Sequence, residues 1–242
     1  RVFGVVPIEP DGSAHFTVPA NTFLFFQSLD ENKMMVQSMR SGTFVQPGER
    51  VGCTGCHEYR QSTTGPYRLA AGDESNPKRE RASKSLGSSL TLRVSVDASD
   101  VLVPQALSRP ASKPEPWYGP SREFNYLTEV QPVFDRHCVA CHDYGKEAGE
   151  QLNLAGDLGL LFNTSYLELH RRSAIRWFAD KPGEQKLLIK AVHDGPPAVL
   201  PAYAWGSQRS RLIDCIRDGH HDVQLSREEF DRLTTWIALN AP

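Results

Sequence analysis

Two copies of the pattern Cys-x-x-Cys-His constrain this chain more than any other feature. "CTGCH" supplies Cys53, Cys56 and His57, and "CVACH" supplies Cys138, Cys141 and His142. Two thiols three residues apart on a helical turn lie on one side, where each can form a thioether with a vinyl group of one haem. The histidine that follows then lies against the iron. The two motifs use four of the five cysteines, so the sequence predicts two covalently bound haem c groups. A four-cysteine zinc site is the competing reading. It would have to close over the 81 residues between Cys56 and Cys138, far more than the roughly 15–20 residues between the pairs of a zinc ribbon. No βαβ context surrounds either pair, which disfavours a thioredoxin-type redox CxxC. The sequence alone supports neither zinc nor calcium.

The fifth cysteine, Cys215 in "LIDCIRD", reads as a small buried hydrophobe. With 27 basic against 29 acidic residues and a net charge of −2, there is no electrostatic case for a nucleic-acid partner. A hydrophobic fraction of 39% and a mean hydropathy of −0.43 describe a soluble chain. The strongest apolar run, "FLFF" at Phe23 to Phe26, is too short for a membrane span. The chain opens at Arg1 without a basic segment and apolar stretch behind it, so a secretory signal is expected to be absent or removed. Haem c attachment takes place outside the cytoplasm, and an extracytoplasmic location, a periplasm or its equivalent, is expected.

The periodicity divides the chain. Residues 1–108 read as a β-rich haem-binding domain, sandwich-like, with alternating runs such as "AHFTVP" and "MMVQSM", turns at "PDGS" and "DENK", and a late strand in which Leu90, Leu92, Val94 and Val96 share a face. "GDESNPKRERASKS" between them reads as a solvated loop. Residues 109–122 carry Pro110, Pro114, Pro116 and Pro120 and predict an extended linker. Residues 123–242 read as a small α-helical cytochrome c-like domain. Leu127, Val130 and Phe134 recur at helical spacing up to the second motif, with Pro132 kinking or restarting the helix. Ser226 and Glu229 form a capping box ahead of Phe230, Leu233 and Ile237 in a terminal helix. The fold class expected is α+β.

Each haem iron needs axial ligands. His57 and His142 are the proximal candidates, and "GHHD" offers His220 and His221 for the far side of the second haem. Met39, His15 or an open iron are the alternatives for the far side of the first. His137 falls off the ligand register and is expected to face solvent or a haem propionate. His170 and His193 show no partner pattern.

Several segments taken together resemble a known family. "VPIEPDGSAHFTVPA", "VQSMRSGTFVQPGERVGCTGCHE", "SKPEPWYGPSREF", "VQPVFDRHCVACHD" and "GHHDVQLSREEFDRLTTWIALNAP" are similar to the middle and C-terminal haem domains of the hydrazine synthase alpha subunit and its planctomycete relatives. The resemblance implies a β-propeller upstream in the full-length chain. It also implies a C-terminal electron-transfer haem held by two histidines, His142 and His220 ahead of His221. In that family the middle motif's histidine is diverted to zinc and a tyrosine four residues later holds the iron. Here that position is Gln61, with Tyr59 and Tyr67 nearby, so His57 reads as an ordinary proximal ligand.

The function expected is a dihaem c-type cytochrome module that exchanges single electrons with a redox partner protein. The alternative is a haem enzyme related to the hydrazine synthase alpha subunit, whose open-faced first haem acts on a small nitrogen or oxygen compound while the second relays electrons. Glu58, Tyr59 and Arg60 are the only acid–base candidates beside the first motif and read as loop surface. A third reading is an interaction module whose haems are structural.

Overall fold

Proline lacks an amide donor, so a proline-rich run can join a ladder only through the residues between its prolines. The segment after Arg109 does this. Ser112 N–H donates to the His15 carbonyl (2.8 Å) and its own carbonyl accepts from Thr17 N–H (2.9 Å). Val5 and Glu115 exchange both backbone bonds, at 2.9 and 2.8 Å, and a further bridge joins Val2 to Arg122. The connector is therefore extended and stitched along the N-terminal segment. These contacts come from a computed structural model that describes residues 1–39, 41–53, 104–174, 187–191 and 201–242.

The architecture is α+β. Among the described residues the regular sheet is one antiparallel pair, β1 (Gln27–Leu29) and β2 (Met35–Ser38), with a bulge between Ser28 and Leu29. Their turn is the predicted "DENK". The Asp30 carboxylate accepts from the N–H groups of Asn32 (2.9 Å) and Met34 (2.8 Å), the turn chemistry for which aspartate is favoured. The strand expected at Leu90 to Val96 lies outside the described residues.

Helices follow the connector. Asn125 caps α1 (Tyr126–Glu129) by accepting from Leu127 N–H at 2.8 Å. Pro132 then stands in the first turn of α2 (Gln131–His137), where its missing donor costs nothing; it restarts the helix. Val130 and Phe134 are fully buried, but Leu127 is exposed, because the break at Val130 rotates α1 away from the face that α2 presents. The others are α3 (Glu147–Gln151), α4 (Thr164–Ala174), α5 (Arg211–Arg217) and α6 (Arg227–Ala238).

Val130, Phe134, Leu169, Ile213, Leu233, Trp236 and Ile237 form the core, and Met34 from the β1–β2 turn packs into it. Met35 buries against Trp205 and Ala238, and Gln27 Nε2 donates to the Ala238 carbonyl at 2.7 Å. The hairpin thus shares its packing with α6. Cys215 on α5 is half-buried, less enclosed than expected.

"PEPWYGP" anchors the connector to α6. Tyr118 Oη donates to the buried Asp231 carboxylate at 2.6 Å, and Lys33 Nζ lies 3.3 Å from the same carboxylate. Arg122 makes a two-point contact with the buried Glu129 (2.6 and 2.9 Å), which Arg232 also reaches. Both guanidinium groups lie against the Trp117 ring, at 5.5 and 5.9 Å from its centroid.

Candidate functional site

α2 delivers the second motif. Cys138 ends that helix, its N–H bonded to the Phe134 carbonyl (2.8 Å), and His142 N–H returns to the Cys138 carbonyl (2.9 Å). The motif is therefore one tight turn. Cys138 packs on the core while Cys141 is exposed. Burial pushes the Cys138 thiol up to about 11, a setting that favours a neutral sulfur over a thiolate.

His142 is held from behind. Its Nδ1 lies 2.9 Å from the Leu152 carbonyl, and since a carbonyl only accepts, Nδ1 carries a proton and Nε2 is the nitrogen turned away from the backbone, the one that could ligate a metal. The His142 carbonyl in turn accepts from Leu154 N–H at 2.9 Å. Leu152 caps α3 with extended backbone. The helix fits because residue 149 is glycine, since a Cβ there would come within 1.8 Å of the Asp143 carbonyl oxygen.

From the other side comes the turn after α5. Gly219 adopts the left-handed conformation (φ 84°, ψ 50°) that ends a helix and that glycine accepts without strain. It reverses the chain into the short 3-10 turn His220–Asp222. The His220 ring then faces His142, with centroids 6.0 Å apart and planes at 37°. His221, with left-handed backbone of its own (φ 46°), sits edge-on to His220 at 4.5 Å. Of the two histidines, the ring contact with His142 belongs to His220. Desolvation, then the neighbouring His221, His142 and Arg211, lower the His220 pKa, which favours the neutral ring over the imidazolium.

The remaining candidates are placed differently. Cys53 is exposed, and Cys56, His57, Glu58 to Gln61, Tyr67 and His193 lie outside the described residues. Met39 N–H donates to the Phe26 carbonyl at 2.9 Å, and His15 Nδ1 lies 3.3 Å from the Arg109 carbonyl. His137 turns to neither solvent nor an open face. Its Nε2 lies 3.1 Å from Glu229 Oε1, because the capping box holds that carboxylate beside α2. Burial opposes the charge on Glu229, but hydrogen bonds from Ser226 and then His137 outweigh it and pull the carboxyl down to about 2. His170 stacks on Tyr166 (4.1 Å) and its Nε2 reaches the Ala241 carbonyl (3.0 Å), tying the last residues to α4.

Leu152, Gly149 and Gly219 support the site without having stood out in the sequence. The Gly immediately before the histidine pair was a readable signal for the turn. Among the described residues no group of three or more His, Cys, Asp or Glu side chains gathers as a metal-binding cluster, and no helix is long and apolar enough to cross a membrane.

Residues 1–58 match the family model described as the hydrazine synthase alpha subunit middle domain. The match takes in the first motif and ends well before the second. No curated protein and no solved structure matches the chain.

Proposed function

We propose that this chain is a dihaem c-type cytochrome module that carries single electrons in an extracytoplasmic compartment. In this reading Cys53 and Cys56 attach one haem, with His57 on its iron, inside a sandwich-like β frame. Cys138 and Cys141 attach the other, with His142 and His220 as its two axial ligands. The observation that carries the reading is the facing of His142 and His220 at 6.0 Å. With imidazole–metal bonds of about 2 Å, two rings on opposite sides of one ion have centroids roughly 6 Å apart. Two imidazoles are a sparse donor set for a bare ion, but they would suit a haem iron, which the porphyrin already ligates.

When bound, haem supplies one-electron iron chemistry. The chain's own residues set its terms. The Leu152 carbonyl holds the Nδ1 proton of His142, which fixes the ring's orientation and raises the basicity of Nε2. With His142 and His220 both holding it, the haem would be closed to substrate and suited to electron relay. The partners in this reading are a redox protein and an upstream β-propeller.

A second reading rests on the match of residues 1–58 to the hydrazine synthase alpha middle domain. There the first haem keeps an open face and acts on a small nitrogen or oxygen compound, fed by the second. Absorption and low-temperature EPR spectra, taken with and without carbon monoxide, separate the two. Two low-spin haems indifferent to the gas support electron transfer; one high-spin haem that binds it supports the enzyme. A chain produced with haem c maturation and purified without covalent haem overturns both.

A further inference from the structure

Just after His142, Tyr144 is tied by a hydrogen bond to the base of a loop with an exposed apolar tip. Tyr144, two residues on and 61% exposed, exchanges a hydrogen bond with Thr164 at 2.8 Å. Thr164 stands at the base of a tight loop, where its N–H donates to the Asp157 carbonyl and Gly159 N–H donates to the Phe162 carbonyl (2.8 Å). At the tip Leu158, Leu160 and Leu161 are 74%, 98% and 81% exposed. So large an exposed apolar cluster is uncommon on a protein surface and marks a contact site.

The sequence around the tip is acidic. Between residues 143 and 167 the sequence has Asp143, Glu147, Glu150 and Asp157 against the single Lys146, whose Nζ is turned to the Ala140 carbonyl at 2.5 Å. Beyond that stretch Glu168 is paired with Arg171. This acidity is local, since the whole chain is nearly balanced at −2. An acidic frame opposes a second copy of the same face, by like-charge repulsion, and opposes an anionic lipid surface. It suits a partner with the opposite pattern.

We propose that Tyr144 and the loop Asp157–Asn163 form the docking face for a redox protein that presents an apolar centre within a lysine- or arginine-rich rim. The proposal rests on the cytochrome reading, because its value lies in placing the partner two residues along the chain from the iron ligand His142. Apolar contact holds the encounter while the carboxylates steer it.

The test uses the haem-loaded full chain, isotope-labelled for NMR, with two probes: a small, strongly basic monohaem cytochrome c and a strongly acidic flavodoxin. The basic probe is expected to shift resonances within residues 143–163 and to weaken steeply with salt, while the acidic probe has no effect. L160S/L161S should weaken the basic probe about tenfold, as expected for losing a small apolar hot spot. D143N/D157N should reduce its salt dependence. The leucines and Asp157 are exposed and Asp143 is half-buried, and folding is checked by the unchanged spectrum elsewhere. Unchanged affinity in L160S/L161S, shifts confined to another face, or concentration-dependent self-association through the loop each overturn the proposal. Haem content measured in the same samples separates the failures. Full haem with unchanged affinity removes the docking face alone; absent haem removes the cytochrome reading and the proposal with it.

Discussion

The ring of His220 faces that of His142 across 6.0 Å, although one follows α2 and the other follows α5. Each is presented by a backbone device of its own, the Leu152 carbonyl behind His142 and the left-handed Gly219 before His220. If that pair is the axial set, H220A should open one face of the second haem. The expected outcome is a low-spin to high-spin change and new carbon monoxide binding by absorption spectroscopy, with covalent haem content retained. H221A should leave the second haem low-spin.

Gly149 is the second point of leverage. G149A would place a methyl within 1.8 Å of the Asp143 carbonyl oxygen, so α3 or the turn behind His142 must move. A loss of about 1–3 kcal/mol is expected for such overpacking, read from denaturant unfolding. Its spectroscopic mark would be a changed low-spin EPR signal, because Leu152 and hence the His142 ring move with α3.

Acid should act through Glu229. Its carboxyl is depressed from an ordinary 4.5 to about 2, so the unfolded chain takes up the proton first. The carboxylate's contribution is fully present above about pH 5 and is lost as pH falls toward about 2. E229Q should be less stable at neutral pH and should flatten that acid limb, measured as unfolding midpoint against pH by circular dichroism. S226A removes the helix cap and should cost about 1 kcal/mol at neutral pH.

Glu129 is buried between Arg122 and Arg232. E129A leaves two guanidinium groups facing each other over Trp117 without a counter-charge. Breaking such a pair costs about 3 kcal/mol where the remaining charge is buried, and the partial exposure of both arginines makes that an upper figure. Loss of cooperativity or of folded yield checks it. E129Q, which keeps the shape, should recover part of the stability.

Local chemistry made much of this legible. The capping box at Ser226 and Glu229, the aspartate turn at Asp30 and the restart at Pro132 each depend on residues within one turn of one another, and each appears where the sequence predicts it. What the sequence did not disclose depends on distant partners. Periodicity placed Leu127 with Val130 and Phe134, but a two-helix break turns it outward. His137 reads as facing solvent or a haem propionate because its partner, Glu229, lies on α6. The same holds for the site: the motifs named His142 and offered two histidines opposite it, while only folding decides which ring faces His142.

The connector's pairing bears on how this chain can be taken apart. Val5 shares both its backbone bonds with Glu115, Tyr118 reaches Asp231, and Met34 lies in the helical core. A cut between residues 109 and 122 would therefore free neither half cleanly. One fragment would show open amides and a bare methionine, and the other would lose the wall that Met34 provides, so the two halves should be made, purified and degraded as a single unit.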